Sequence, residues 1–285
     1  DYLRDNRDEN MGFLSKTLLP DGTEIPGTNF DYNYLQHRKV DVVSSALDFI
    51  LPFEKYKITA GAKVSFTNTR NGINYDTSDP TLVQDDYFRY KEQIYALYAD
   101  YSREFSERFS MQLGLRMEHT RTTGISEAKD TEDKHDYTRL FPTVYLLYSP
   151  TDGHALNFSF SNRISRPSQN MVNPFPFYQN KYTCACGRED LKPSYTYNAE
   201  LGYTLKNNFN VSAYYSYSDD VFFQVVDLDA ETNVTSFLWE NFMQTHAFGL
   251  NNSYTFRTKW LQTYAQHGVS YRRTTSSAAC LLYTS

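Results

Sequence analysis

Cys184 and Cys186 are separated by one residue, and thiolates at this spacing could bind a soft metal such as Zn²⁺ or Cu(I). Two ligands do not complete a metal site, and no histidine lies near them in the sequence. We therefore predict no metal site here. The pair is interpreted as an incidental feature of a loop, and its oxidation state is left open.

An acidic segment over 127–136 could bind Ca²⁺ through carboxylate oxygens. Its acidic residues are Glu127, Asp130, Glu132, Asp133 and Asp136. The segment lacks the spacing and the glycine of a calcium-binding loop, and Lys129, Lys134 and His135 are interspersed with the acids. We interpret it as a solvated outer loop.

The side chains that commonly carry out catalysis are scattered along the chain. The histidines are His37, His119, His135, His154, His246 and His267. They form no H-E-x-x-H pair, and Ser168 and Ser194 lack the flanking glycines of a nucleophile elbow. We therefore expect no catalytic residues, no cofactor and no enzymatic activity.

The composition points to strands with two different faces. Among the 285 residues there are 25 Tyr and 20 Phe, and aromatic residues make up 16%. Tyr suits strands and sites that are half apolar and half wet. The net charge of -6 argues against a nucleic-acid partner. No run of 18 apolar residues is present, which excludes a membrane-spanning helix but not a membrane strand.

The sequence predicts about ten strands, most of them far longer than the five or six residues usual in soluble proteins. Their side chains alternate with a period of two. Over 109–117 one face carries only apolar side chains, whereas the other face includes Gln112 and Arg116. The predicted strands are 38–51, 56–69, 89–104, 107–122, 138–149, 154–165, 194–206, 208–225, 241–257 and 261–274.

The connections between these strands alternate strictly between short and long. The short ones are 52–55, 105–107, 149–153, 206–208 and 258–260, and the long ones are 70–88, 123–137, 166–193 and 226–240. Five hairpins in this order are typical of an antiparallel transmembrane β-barrel with short periplasmic turns and long outer loops. An all-β sandwich remains the alternative, because its strands alternate in the same way.

Several motifs occur in a family-specific order. They read S-N-R-I-S-R-P-S at 161–168, N-P-F at 173–175 and D-L-K-P-S-Y at 190–195. This order resembles the barrel of TonB-dependent receptors, in particular the Bacteroidetes-type outer membrane β-barrel family, over roughly residues 30–275. Asn162 and Ser194 depart from the family pattern, which usually has Arg and Glu at these positions.

The resemblance implies a barrel of about 22 strands around a plug domain, so a chain with ten strands is expected to be an internal barrel fragment. We expect residues 1–279 to form a partial barrel domain. The tail 280–285 resembles the translation of a DNA-library adapter and is expected to be non-native. An open sheet of this kind, expressed alone, is expected to aggregate or fail to insert.

Two groups of residues are candidates for function. The long connection 166–193 is rich in aromatic residues and is the candidate ligand-binding loop, although the same side chains could simply pack it over the barrel mouth. Its candidate residues are Arg166, Asn173, Phe175, Phe177, Tyr178 and Tyr182. Arg116, Glu118, Asn157 and Arg163 are expected to face the lumen.

The resemblance implies a receptor in the outer membrane of a Gram-negative bacterium for TonB-dependent, energy-coupled nutrient uptake. Its expected partners are outer-membrane lipid, the TonB complex acting through a plug domain outside this chain, a surface lipoprotein, and a small nutrient such as a siderophore, glycan or peptide. The fold does not fix the substrate. The alternatives are a passive porin or structural barrel without a plug, and a secreted glycan-binding β-sandwich.

Overall fold

The chain forms one antiparallel meander in which each long strand pairs with the next long strand along the sequence. The computed structural model describes residues 1–26, 30–77 and 85–276, and the strands in these ranges form a thirteen-stranded sheet. None of the described helices is long and apolar enough to cross a membrane. The elements are β1 (Tyr2–Ser15), β2 (Phe30–Pro52), β3 (Tyr56–Thr77), β4 (Asp86–Ser106), β5 (Phe109–Ser126), β6 (Thr131–Tyr148), β7 (His154–Ser165), α1 (Gln169–Val172), β8 (Phe177–Asn180), β9 (Thr183–Cys186), β10 (Ser194–Leu205), β11 (Phe209–Asp229), β12 (Val234–Arg257) and β13 (Gln262–Ser276).

The outward face of the sheet is apolar over one continuous band. On β5 the outward side chains from Phe109 to Met117 are all apolar. Leu113, Leu115 and Met117 are exposed, because no other described residue covers them. The inward side chains of the same strand include Arg116 and Glu118. An exposed apolar band on one face and a polar opposite face are what a transmembrane barrel strand requires.

Aromatic side chains border this band at both ends. At the end with the short turns, Phe53 stacks on Tyr56, with ring centroids 4.5 Å apart. At the other end, Phe66 and Tyr95 meet edge to face at 5.8 Å. Tyr56 and Phe66 lie ten residues apart on β3, which corresponds to about 25 Å along the membrane normal at the usual strand tilt. The two aromatic girdles therefore mark the two membrane surfaces.

The sheet curls with its polar face inside, into a nearly closed barrel. Tyr34 on β2 and Phe177 on β8 lie near opposite ends of the strand order, yet their rings meet edge to face at 4.9 Å. Within the described residues β1 pairs only with β2, and β13 only with β12. A single curled sheet has no second sheet packed on it, so the β-sandwich alternative is wrong.

All ten predicted strands are present, but the predicted strand number and the five hairpins are too low. The sequence pattern missed β1 because both of its faces carry charges, including Arg4, Asp5 and Asp8, so that no apolar period appears. It missed β8 and β9 because four residues are too few to show a period. The predicted non-native tail 280–285 lies outside the described residues.

Three of the four predicted long outer loops are wrong within the described residues. In the segment 70–88, β3 continues to Thr77 and β4 already begins at Asp86. The segments 123–137 and 226–240 are mostly strand, because β5–β6 and β11–β12 continue as paired hairpins to turns at 127–130 and 230–233. Beyond the membrane both faces are wet, so the apolar alternation ends while the backbone ladder continues. The connection 166–193, which we call the mouth loop, is long as predicted and contains α1, β8 and β9.

Arginine substitutions at neighbouring positions of β5 test which face meets lipid. Leu113 lies midway along the outward apolar stretch and Gln112 faces inward at nearly the same depth. Leu113→Arg should destabilise the intact outer-membrane protein by about 2–4 kcal/mol, because a cation near the bilayer midplane loses its hydration. The free energy of unfolding is measured by urea titration in phospholipid vesicles.

Gln112→Arg is the matched control and should cost far less, because its side chain enters a wet lumen. Equal losses in the two variants would contradict the assignment of the faces.

Candidate functional site

A cluster of buried charges joins the mouth loop to the barrel wall. Glu118 on β5 is 2% exposed and accepts hydrogen bonds from the guanidinium groups of Arg116, on its own strand, and Arg166, at the start of the mouth loop. Arg166 also donates to Thr120 Oγ1 at 3.1 Å, and its Nε lies 3.6 Å from Glu92 Oε2 on β4. The loop is thereby fastened to β5 by charge-assisted hydrogen bonds and to β4 by an ion pair.

This cluster divides the interior into two cavities. Arg166 lines both of them, Glu92 lines the cavity on the outer side, and Glu118 lines the cavity on the lumen side. We call them the outer cavity, of about 350 Å³, and the lumen cavity, of about 770 Å³. A change in the Arg166 contacts would therefore alter the passage between them.

The outer cavity lies under the mouth loop and combines aromatic and charged side chains. Tyr90, Tyr137 and Tyr195 supply the rings, and Arg139 places its guanidinium 4.7 Å from the ring centre of Tyr195. A volume of this size fits a small organic ligand, and rings next to fixed charges can orient one.

Three of the four predicted lumen residues line the lumen cavity. Arg116, Glu118 and Arg163 lie around it, together with Lys63 and Asp100 from neighbouring strands. Asn157 lies apart, in a smaller recess nearer the short turns, where its side-chain amide lies against Gly202.

The aromatic residues predicted for the mouth loop mostly anchor the loop. Phe175 is buried against Tyr34 and Ile73, and Phe177 and Tyr178 pack around the same cluster. Asn173 is also buried, and its side-chain oxygen accepts the backbone N–H of Phe175 at 3.1 Å. Tyr182 differs from these residues, because it is exposed in the turn between β8 and β9.

The two ends of the mouth loop cross at a glycine. Gly187 N–H donates to the carbonyl of Asn173 at 2.8 Å, and Arg188 N–H donates to the carbonyl of Met171 at 2.7 Å. A Cβ at Gly187 would overlap both of these carbonyl oxygens, so this crossing requires glycine. On the far side of the crossing, β9 pairs in parallel with the outer part of β12, from Thr183 opposite Thr235 to Cys186 opposite Leu238.

The motifs that could bind metal find other partners. Cys184 and Cys186 are free thiols in β9, and Cys184 Sγ contacts Ser236 Oγ at 3.3 Å. The acidic segment makes local contacts: Asp136 forms an ion pair with Arg121 at 2.8 Å, and Asp133 Oδ2 lies 2.6 Å from His135 Nε2. Within the described ranges no three His, Cys, Asp or Glu side chains are grouped to hold a metal ion.

Sequence reasoning missed several residues of the outer cavity. Tyr90 and Glu92 continue the inward face of β4 beyond Tyr98, and a two-residue period carried further along the strand would have found them. Arg139 lies directly opposite Glu118 in the β5–β6 ladder, which only the register reveals.

Comparisons with known proteins agree with this architecture. The model of the outer membrane protein beta-barrel family matches residues 1–282, and the chain belongs to this family. It lies in the outer membrane of a Gram-negative bacterium. No curated protein matches the chain by sequence.

Solved structures with the same fold are TonB-dependent receptors. The copper transporter OprC has a TM-score of 0.63 at 12% identity, with 95% of this chain and 47% of OprC covered. The ferric yersiniabactin uptake receptor FyuA from Yersinia pestis has a TM-score of 0.55 at 16% identity, with 96% of this chain and 40% of FyuA covered. The ferric citrate transporter FecA has a TM-score of 0.54 at 12% identity, with 97% of this chain and 44% of FecA covered. The chain thus spans less than half the length of these proteins.

Removal of the Glu118 carboxylate should free the mouth loop. Glu118→Ala leaves two guanidinium groups without their shared partner, and loss of one member of a buried ion pair typically costs about 3 kcal/mol or more. We expect trypsin to cleave faster at Lys181 within the loop, as measured by limited proteolysis of the intact protein.

Glu200→Ala is the matched control, since Glu200 also faces inward but is exposed and forms no ion pair among the described residues. The double variant Glu118→Ala/Arg166→Met should partly restore protection, because it removes a stranded charge. Unchanged cleavage of Glu118→Ala would contradict the fastening role.

The Cys186 thiol should react slowly. Burial raises the pKa of this thiol, and the neighbouring Cys184 adds to the rise. Since the thiolate is the reactive form, alkylation by iodoacetamide should reach half its maximal rate above about pH 8.5, the usual value for cysteine. The measurement uses a Cys184→Ser/Cys280→Ser variant, and a half-maximal rate below that pH would contradict the burial of Cys186.

Proposed function

We propose that the chain forms the wall and part of the outer mouth of a receptor for TonB-dependent, energy-coupled uptake of a small nutrient. The observation that carries this proposal is the Arg166 cluster, which separates an outer cavity from a lumen cavity and fastens the mouth loop above them. A ligand would bind on the outer side and enter the lumen when the contacts across this division rearrange.

The outer cavity is the proposed ligand site. Tyr90 and Tyr137 offer ring faces, and Arg139, Arg166 and Glu92 offer charges of both signs. Such a lining suits a ligand that has both rings or apolar faces and ionised groups, as siderophores, glycans and peptides do in different proportions. Non-covalent binding is sufficient for this function, so no catalytic residue or cofactor is proposed.

The predicted residues of the mouth loop divide into two roles in this proposal. Phe175, Phe177 and Tyr178, with Asn173, hold the loop against the wall. Arg166 contacts the ligand from below, and Tyr182, exposed at the tip, meets it or a surface lipoprotein from outside. Rigid anchoring and an exposed tip are what a recognition loop needs.

The lumen cavity is the proposed route inward. Arg116, Glu118 and Arg163 would keep it hydrated and would contact a plug domain that the TonB complex moves. The named ligands of structural neighbours, ferric yersiniabactin and ferric citrate, support a small nutrient as cargo.

Uptake by whole cells tests this function. We expect that deletion of the gene abolishes uptake of one ligand from a panel of labelled ferric siderophores, glycans and peptides. A protonophore should abolish the same uptake in wild-type cells, because energy coupling requires the proton gradient. Passive entry that persists with the protonophore would contradict the proposal and would indicate a porin.

Substitution within the outer cavity tests the site itself. Arg139→Gln removes a charge that contacts Tyr195 and does not belong to the Glu118 cluster, so the fold should persist. The ligand concentration for half-maximal uptake should rise about tenfold or more, since a lost charged hydrogen bond costs about 1.5–3 kcal/mol. Lys57→Gln, an inward substitution near the short turns, is the control and should leave uptake unchanged.

A further inference from the structure

Four consecutive strands carry a cation at the same height on the outward face, just beyond the membrane. On each of β2 to β5, the cation lies four residues beyond an exposed apolar side chain of the band, on the side away from the short turns. These pairs of residues are Val43 and Lys39 on β2, Phe66 and Arg70 on β3, Tyr95 and Lys91 on β4, and Met117 and Arg121 on β5. We call Lys39, Arg70, Lys91 and Arg121 the outer basic row.

The row lies at the level of lipid headgroups. Four strand residues rise about 13 Å along the strand, which is about 10 Å along the membrane normal at the usual tilt. Long cationic side chains can bend back from this height towards the membrane surface. Each cation lies at the same distance from the apolar band although the strands are tilted. The four cations therefore form a row that runs parallel to the membrane plane and does not follow one line of directly paired residues.

The register places these charges next to one another. Lys39 is directly opposite Arg70, and Lys91 is diagonal to Arg70 because it pairs with Asn68. Arg121 is in turn diagonal to Lys91, because it pairs with Gln93. Like charges this close destabilise a sheet unless an anion lies between them.

The described part of the protein supplies few anions to this row. Arg121 pairs with Asp136 at 2.8 Å, but Lys39, Arg70 and Lys91 form no ion pair with any described residue. Asp41, the carboxylate beside Lys39 on the same face, pairs with Arg4 at 2.6 Å, and Lys39 acts on it only at longer range. Arg89 adds a further cation directly opposite Arg70.

The opposite membrane surface lacks such a row among the described residues. There the outward positions are aromatic, as with Tyr56, Phe105 and Phe109. Arg103 is the outward cation at that end of β4, and its guanidinium lies 4.7 Å from the ring centre of Phe105. The cationic row is therefore a property of the outer surface, not of both membrane boundaries.

We propose that the outer basic row binds the phosphate groups of an anionic lipid in the outer leaflet. A phosphate offers several acceptor oxygens, so one group can bridge two neighbouring cations. The planar guanidinium of Arg70 can donate two parallel hydrogen bonds to it, and the ammonium of Lys39 or Lys91 contributes a compact positive charge. The apolar edge directly below, at Phe66 and Tyr95, receives the acyl chains of the same lipid. The bound phosphates relieve the repulsion within the row and set the depth of the barrel in the membrane.

Thermal unfolding of the intact protein in detergent tests this site. The probes are bisphosphorylated lipid A, the same lipid after enzymatic removal of its phosphates, and inorganic phosphate. The test variant is Lys39→Gln/Arg70→Gln/Lys91→Gln. The control variant is Lys55→Gln/Arg108→Gln/Lys259→Gln, which makes the same charge change in the short turns at the other end of the barrel.

Bisphosphorylated lipid A should raise the unfolding temperature of the wild type and of the control variant at the same lipid concentrations. The test variant should require about 100-fold more lipid, since each headgroup contact is worth about 1 kcal/mol. Equal responses of the two variants would overturn the proposal. It would also be overturned if dephosphorylated lipid acts equally well, or if inorganic phosphate alone reproduces the shift at the same concentration.

Discussion

Every part of this structure depends on the backbone hydrogen bonds that join each long strand to its neighbours. Lipid offers no partner for a backbone N–H or carbonyl, so the membrane-spanning residues must satisfy these groups within the sheet. The ladder fixes the register, and the register fixes which side chains face inward. The polar lumen, the apolar band and the aromatic girdles are all consequences of one alternation with a period of two.

The same register brings charges together that are far apart in the sequence. Glu118 and Arg166 are separated by 48 residues, yet the meander places the end of β7 beside the inward face of β5. Because the Glu118 carboxylate is buried and two guanidinium groups share it, its cost of desolvation is offset only while both contacts persist. A site of this kind holds the mouth loop in one position and is sensitive to any ligand that competes for the arginines.

The sequence was most informative where one face meets lipid and least informative beyond the membrane. Alternation located β2 to β7 and β10 to β13, because a dry face must be apolar at every second residue. It failed for β1 and for the outer parts of β5 and β6, where both faces are wet and the ladder needs no apolar period. The turn at 127–130 was for this reason mistaken for a longer loop.

For the candidate site, sequence reasoning named Arg116, Glu118 and Arg163, because charges on strands that must be half apolar stand out. It named Arg166 as a residue of the long connection 166–193. It could not divide the mouth-loop aromatics into anchors and exposed residues. Phe175 and Tyr182 are both large aromatic residues of one loop, and their burial depends on what surrounds each of them in the fold. Arg139 and Tyr195 were missed because their contact comes from the register of strands that the pattern alone does not pair.

The parallel pairing of β9 with β12 has a consequence for the order of assembly. Thr183 and Thr235 are separated by 52 residues, whereas most of the antiparallel strand pairs, such as β2–β3 and β5–β6, close over turns of a few residues. Hairpins with near neighbours form quickly, and pairing between distant segments is slow because a long stretch of chain must first be ordered. β9 can pair with β12 only after β10, β11 and β12 have formed, so this part of the wall precedes the cover over its mouth.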